Sequence, residues 1–473
     1  MERQQKIRVA ELFAGVGGFR LGFERKGVQR SLRKREKNSN FKVVWSNQYE
    51  PKTNKQHASD IYVKNFNLVE DENRADHYLS DDGTELHVNI SINDVLGADV
   101  YDHDLLVGGF PCQDYSVMRA ISREVRNEAG EVESGEEGIK GPRGELWWQI
   151  EKVLRNKKPR LVFLENVSRL LSSPALHKGK NFEIVIRSMV DCGYDVEWRT
   201  INASDYGMPQ SRNRVFIFGY KRGKNSPISP ELASSEEGSI EFNWLRNLSP
   251  FTKTFPYSLV QELPYQKSLP KKFGKKESFF KNAGIARLCN DKSTITVVQL
   301  IKSVPEFEKK MPLNRIIKKK LTKDELEIYS IPEEEKDRWL YLKGCARKEF
   351  RIKDVAKSKI PPKTLKIYEN LMKEPKILAR QDKWDRHRDL FLNLVKENLA
   401  YRYDIGAMRW PDHLHETSRT IVTSEGGRGP SRTRHIIHCD DSVSTFRRLM
   451  PLELERLNQF PDNWTKITGI SDS

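Results

Sequence analysis

The stretch "LLVGGFPCQDYS", Leu105–Ser116, decides how the rest of the chain is read. Leu105, Leu106 and Val107 are apolar without alternation, the pattern of a strand buried on both faces, and the run then breaks at two glycines and a proline. A single cysteine, Cys112, stands where the strand gives out into a loop. Outward from it the same rhythm recurs in "IRVAELF", "FKVVWSN", "RLVFLENV", "DVEWRTI" and "RVFIFGY". Amphipathic helices fall between: Leu146, Trp147, Ile150, Val153 and Leu154 recur at helical spacing, as do Phe182, Val185, Ile186, Met189 and Val190. Strands alternating with helices predict an α/β fold with a parallel, doubly wound Rossmann-like sheet. Ligands bind outside the carboxyl ends of the strands in such sheets, and Cys112 is expected at one of those ends.

The rhythm stops near residue 221. "KNSPISPELASSEEGS", Lys224–Ser239, reads as a linker or surface excursion. The region 222–434 shows no βα alternation and carries the lysine runs "KKFGKK" and "IIKKKLTK", which predicts a second, smaller domain. From 435 to 473 a helical pattern returns, with Pro451 suited to a first helical turn. "EAGEVESGEEGIKGPRG", Glu128–Gly144, interrupts the first domain after the cysteine, and its length and glycine content predict a lid.

Composition narrows the classes. The 473 residues hold 82 Lys+Arg against 66 Asp+Glu, a formal charge of +16, and such a surplus favours a polyanionic partner. The five cysteines (Cys112, Cys192, Cys289, Cys345, Cys439) form no CxxC pair or His/Cys cluster at metal-ligand spacing, so no metal is expected. No apolar run approaches the roughly 20 residues that span a bilayer, and the amino terminus has no signal-peptide pattern, so a cytoplasmic protein without a membrane partner is expected.

The first strand ends in "ELFAGVGGF", a glycine-rich turn opening a helix. A dinucleotide fingerprint needs a third glycine where this chain has Arg20, which disfavours a pyrophosphate cradle and an NAD-dependent oxidoreductase. Gly15 and Gly17 still let the backbone approach a ligand, and Phe13 can lie against a flat ring. The second strand ends "WSNQYEP", where an acid usually accepts from ribose hydroxyls; the candidates here are Gln48 and Glu50, and Asp94 can accept from an adenine amine.

Cys112 has a context that an inert cysteine lacks. "LENV" puts Glu165 at the tip of a buried strand, and "GMPQSRNRVF" puts Gln210, Arg212 and Arg214 just before another. A thiolate, a protonatable carboxyl and a guanidinium are the set needed to make position 5 of cytosine nucleophilic. The thiolate adds to C6, and the charge thrown onto N3 and O2 is met by an acid and a cation.

"ELFAGVGGF", "WSNQYEP", "GGFPCQ", "GPRGELWW", "LENV", "DYGMPQSRNRVF" and "RRLMPLELERLNQFP" resemble, in order, motifs I, II, IV, V, VI, VIII and IX of the DNA cytosine-5 methyltransferases. "TSRTIVTSEGGRGPSRTRHII" resembles the segment that closes that family's target-recognition domain. The resemblance implies a catalytic and cofactor-binding domain over 1–221, a target-recognition domain over 222–434 and a helical return over 435–473. It implies S-adenosylmethionine as donor, with Phe13, Gly15, Gly17, Gln48, Tyr49, Asp94, Pro111 and Leu146 at its pocket. Cys112 is the implied nucleophile, Glu165 the N3 acid, and Arg212 and Arg214 the stabilising cations; Gln113, Ser116 and Arg143 match positions that close on the DNA backbone and an extruded base. Double-stranded DNA is the implied partner, restriction-modification the implied role, and a cognate endonuclease a genetic partner. The rivals are a tRNA cytosine-5 methyltransferase, disfavoured by the long middle region, and a non-catalytic DNA-binding relative, disfavoured by intact Cys112, Glu165 and Arg214. Two departures stand out: Gln48 replaces a ribose-binding Glu, and the chain reaches "KITGISDS" without a GNAV-type motif X, which implies a truncated or split enzyme.

Overall fold

A computed structural model describes residues 5–24, 39–51, 55–95, 99–110, 124–126, 132–134, 145–173, 179–224, 226–228, 243–255, 258–263, 280, 282–288, 295–303, 310–318, 320–331, 411–422, 425, 435–438 and 446–467. By contacts the chain divides into two units. The first holds 1–116, 135–311 and 455–472, and the second 117–134 and 312–454.

The strands in chain order are β1 (Ile7–Leu12), β2 (Phe41–Asn47), β3 (Val69–Asp71), β4 (Arg74–Leu79), β5 (Leu86–Val88), β6 (Leu105–Gly109), β7 (Glu124–Arg126), β8 (Val132–Ser134), β9 (Leu161–Val167), β10 (Tyr194–Asn202), β11 (Asn213–Lys221), β12 (Ser258–Leu263), β13 (Ala283–Leu288), β14 (Ile295–Ser303), β15 (Ile436–His438) and β16 (Phe446–Arg448). Twelve of them form one sheet in the first unit, in the order β12-β14-β13-β10-β11-β9-β6-β1-β2-β5-β4-β3. All six strands read from the sequence lie in it.

The centre, β9-β6-β1-β2-β5, is parallel. Helices α1 (Gly18–Glu24), α2 (His57–Phe66), α3 (Glu145–Lys157) and α4 (Lys180–Asp191) accompany it. Trp147, Ile150, Val153 and Leu154 of α3 join Phe182, Val185, Ile186 and Met189 of α4 against Ala10, Leu12, Leu106, Val162 and Leu164, all buried. On the opposite face Phe19 and Phe23 of α1 pack against Val9, Val43, Leu105 and Val107. The sheet is therefore doubly wound, and its core excludes water on both sides.

It is not parallel throughout. β11 runs antiparallel to β9 and to β10. The reason is the connection: β10 and β11 are joined by residues 203–212, with only a 3₁₀ turn at Ala203–Tyr206, too short for the crossover a parallel pair requires. The sheet also continues beyond residue 221, where the sequence reading ends the first domain. After α5 (Pro250–Thr254), β12, β13 and β14 extend it, with β13 pairing antiparallel to β10. A buried cluster holds this extension: Glu197 accepts from Trp244 Nε1 (2.9 Å), Ser249 Oγ (2.5 Å) and the Tyr220 hydroxyl (3.1 Å) and pairs with Arg199 Nε (3.2 Å).

In the second unit β15 pairs antiparallel with β16, and α6 (Lys323–Tyr329) starts with a capping box between Thr322 and Glu325. Arg447 and Glu453, both buried, form a two-pronged ion pair at 2.8 Å. Helix α7 (Pro451–Leu457) begins at Pro451, in the first turn as its fixed φ favours. β7 and β8 form a two-stranded ribbon; the rest of the segment read as a lid lies outside the described residues. Among the described residues no helix is long and apolar enough to cross a membrane.

Candidate active site

The carboxyl ends of β1, β2, β5, β6 and β9 gather one edge of the sheet, and β11 brings its amino end to the same edge because it runs antiparallel to β9. Arg214 of β11 pairs in register with Val167, two residues on from Glu165, so the two side chains share a face. Arg214 Nε stands 2.8 Å from Glu165 Oε1, and Arg212 Nη2 reaches the same oxygen at 3.8 Å. All three groups keep partial exposure, so the acid is screened by two guanidinium groups and still open to a ligand. On the other side, Gly109 of β6 pairs with Glu165, and a Cβ there would lie 3.3 Å from Glu165 Oε2. Glycine leaves the carboxylate its room.

β6 then delivers the chain toward Cys112. Phe110 is buried against Trp147, and its carbonyl accepts from Asn166 Nδ2 at 3.2 Å. Asn166 is itself buried, and its oxygen receives the Val167 N–H at 2.8 Å. This amide ties the end of the acid's strand to the residue two before Cys112. The sequence reading assigned it no role, although an amide at the tip of an apolar strand was its signal. Cys112, Pro111, Gln113, Ser116 and Arg143 lie outside the described residues.

The glycine turn occupies the end of β1. Phe13 adopts φ 55°, a left-handed conformation that bulky residues avoid, and Gly15 and Gly17 follow at 56° and 88°. The turn is held by hydrogen bonds: Ala14 N–H to the Asn47 carbonyl (2.9 Å), Gly15 N–H to Gln48 Oε1 (2.8 Å) and Gly17 N–H to the Ala14 carbonyl (2.9 Å). The two glycines serve different ends. A Cβ on Gly17 would meet the Phe66 ring at 2.5 Å, whereas one on Gly15 would meet nothing within 4 Å. Gly17 is required by packing, and Gly15 faces open space.

Gln48 Oε1 accepts the Gly15 N–H, so the side chain that stands where an acid usually meets ribose hydroxyls is tied to the glycine turn. Glu50 is also engaged: its main chain pairs with the Gln56 side chain, and its carboxylate receives the Ala58 N–H of α2 at 3.5 Å. Tyr49 is exposed, Leu146 packs half-buried against the core, and Asp94 is exposed; Asp94 also lines a cavity of about 860 Å³ that runs past Trp45, Leu86 and Val88 to Arg8, Asp102 and Lys157 near the amino end of β1, away from Phe13 and Gly15. An open Gly15 and a half-buried Phe13 after β1, with an exposed Asp94 in the turn that follows β5, fit a nucleoside cofactor, and the backbone can approach it at Gly15.

Beneath the turn lies a buried polar network. Glu11 accepts from the Tyr62 hydroxyl at 3.2 Å; burial pushes its pKa up to about 8, against the opposing pull of Arg20. His87 is held between Ser46 Oγ (2.8 Å) and Ser59 Oγ (2.9 Å), stacks on Tyr62, and is driven down to about 3 by burial and then by Arg20. Arg20 bonds Glu24 at 2.9 Å and also bonds Glu85.

An open α/β sheet with a glycine turn at one strand end and an acid beside two guanidinium groups at another defines a class of Rossmann-like transferases. Sequence comparison fixes the family: the model of the C-5 cytosine-specific DNA methylases matches residues 7–472, and the chain belongs to that family, whose members are S-adenosylmethionine-dependent methyltransferases. The chain is 32% identical over 469 residues to the type II methyltransferase M.Sau3AI of Staphylococcus aureus, covering 98% of this chain and 89% of that one. It is 30% identical over 213 residues to the type II methyltransferase M.NgoBI of Neisseria gonorrhoeae, 45% and 50% of the two chains. Among solved structures, the S. pombe Dnmt2 methyltransferase aligns at 12% identity and TM-score 0.46, over 98% of this chain and 90% of that one.

Proposed function

We propose that this chain methylates C5 of a cytosine flipped out of duplex DNA, through a covalent bond between Cys112 and C6. The observation that carries the reading is the placement of Glu165 within 2.8 Å of Arg214 and 3.8 Å of Arg212, beside the strand that leads to Cys112. S-adenosylmethionine, when bound, supplies an electrophilic methyl group. Phe13, Gly15, Asp94, Tyr49 and Leu146 are the described residues that would hold it, with Pro111 beyond them.

The chain's own groups prepare the base. Cys112 as thiolate adds to C6, and the ring electrons move toward N3. Glu165 delivers a proton at N3, while Arg214 and Arg212 donate to O2, so the ring becomes an enamine nucleophilic at C5. After methylation the C5 proton is lost to a base, the returning electrons expel the thiolate, and the N3 proton goes back to the Glu165 carboxylate. The target must leave the duplex stack, because C5 and C6 present their reactive faces only when unstacked. The sequence reading assigns DNA recognition to 222–434; β12, β13 and β14 of that span extend the catalytic sheet, and the second unit contains 312–434. The likeness to type II methyltransferases supports a modification role beside a cognate endonuclease.

Trapping tests the reading. Duplex DNA carrying 5-fluorocytosine cannot release fluorine as a proton, so a working site stalls with Cys112 bonded to C6. A denaturation-resistant adduct that requires S-adenosylmethionine and disappears in Cys112→Ala is the expected result. An adduct on fluorinated tRNA and none on DNA would transfer the reading to RNA, and none on either would overturn it.

A further inference from the structure

The glycine turn is braced by a residue 448 positions away. The Trp464 indole N–H donates to the carbonyl of Val16, inside the turn, at 2.8 Å. Trp464 is 8% exposed and lies edge-on to Phe66, with ring centres 5.7 Å apart. Phe66 is the ring that fills the space a side chain on Gly17 would need. The Trp464 carbonyl is itself held by Asn65 Nδ2 at 2.9 Å, and Phe460 stacks on the indole at 6.0 Å. Ala14, Leu21, Ile61, Tyr62, Phe66 and Trp464 form one buried cluster on the underside of the turn. Residues 13–17 hold three left-handed conformations, which persist only where the surroundings over-determine them.

We propose that Trp464 is a positioning residue for cofactor binding: its indole fixes the Val16 carbonyl and, through it, the open face of the turn at Gly15. The inference rests on the functional reading above, since it concerns the same cofactor. Among the described residues Trp464 contacts Val16, Asn65, Phe66 and Phe460, none of them assigned to base chemistry. It therefore acts on the affinity for cofactor and leaves base chemistry unchanged.

The test compares two matched substitutions in the full chain. Trp464→Phe removes the N–H and keeps a ring. Trp244→Phe likewise removes an indole N–H donor, there 2.9 Å from a Glu197 carboxylate oxygen, at the opposite flank of the sheet. Calorimetry with S-adenosylhomocysteine, the thioether product, reads affinity without turnover; thermal melts report how far each variant is destabilised. Trp464→Phe is expected to weaken binding about tenfold while Trp244→Phe leaves it within about twofold, the loss of one indole hydrogen bond being common to both. At saturating S-adenosylmethionine, kcat of Trp464→Phe should match the wild type. Equal binding by the two variants overturns the inference, whether both weaken or neither does. A wild type that binds no cofactor overturns the functional reading beneath it, and the inference with it. Should Trp464→Phe fail to fold, Phe460→Leu, which loosens the indole without removing its N–H, is read in the same way: a smaller rise in Kd supports the inference and none overturns it.

Discussion

Glu165 and Arg214 meet across an antiparallel pair of strands, Oε1 to Nε at 2.8 Å, because Arg214 sits opposite Val167 and so on the acid's own face. The contact is a charge-assisted hydrogen bond whose geometry the two strands fix. Glu165→Gln keeps the shape and loses the proton. Single-turnover methyl transfer is expected to fall on the order of a hundredfold to a thousandfold, with DNA affinity retained. Arg214→Lys keeps the charge and loses the planar fork, so it should fall by a similar factor. The double variant should be little worse than either single one, since the pair acts as a unit; multiplicative losses would show that the two act separately.

Asn166 gives a second prediction. Its side chain satisfies the buried Phe110 carbonyl and the half-buried Val167 N–H. Asn166→Ala removes the partner of a buried acceptor, which costs about 1–3 kcal/mol, and of a half-buried donor, which costs less. Chemical denaturation should show the loss, and fluorocytosine trapping should slow beyond what reduced folding explains, because Phe110 precedes Cys112 by two residues. Trapping at the wild-type rate per folded molecule would reduce Asn166 to a stabilising role.

What the sequence made legible follows from locality. The six strands read from the sequence announced themselves because strands buried on both faces are apolar almost throughout, and Glu165, Arg212 and Arg214 stood out as charge at their tips. β3 and β4 are largely exposed, so no apolar pattern marks them. β14, "ITVVQLIKS", is apolar enough to notice, but its place depends on β13 and through it on β10, about a hundred residues earlier, after a polar insertion that looks like a boundary. The engagement of Gln48 by Gly15 and of Trp464 by Val16 depends on side-chain direction across 33 and 448 residues, which no local periodicity records.

The buried network beneath the turn predicts a pH dependence of stability. Glu11 has a folded pKa of about 8 against an ordinary 4.5, so the folded state holds a proton that the unfolded chain releases in between. Its contribution is fully present below 4.5 and is lost as pH rises through about 8, at up to ~1.4 kcal/mol per pH unit. His87 is the opposite case: lowered from 6.5 to about 3, it contributes above 6.5 and the contribution is lost as pH falls through about 3. The two slopes oppose each other between 4.5 and 6.5, so urea denaturation from pH 3 to 9 should show stability rising below 4.5 and falling from 6.5 to about 8. Glu11→Gln keeps the acceptor for Tyr62 and should abolish the fall above 6.5 and uncover the His87 rise between 4.5 and 6.5; a profile parallel to the wild type would remove Glu11 as its source.

The two glycines of the turn separate packing from ligand space. Gly17→Ala places a methyl 2.5 Å from the Phe66 ring at φ 88°, so both overpacking and backbone strain oppose it, at roughly 2–4 kcal/mol together. Gly15→Ala meets no atom and carries only the strain of φ 56°, about 1 kcal/mol. Thermal melts should therefore rank Gly17→Ala well below Gly15→Ala. Cofactor affinity should show a different order per folded molecule, because only the Gly15 methyl points into the space where the backbone is open. Phe66→Leu, which withdraws the ring, should restore part of the stability lost in Gly17→Ala and none of the affinity lost in Gly15→Ala. If Phe66→Leu rescues neither, the contact between Gly17 and Phe66 is not what holds the turn.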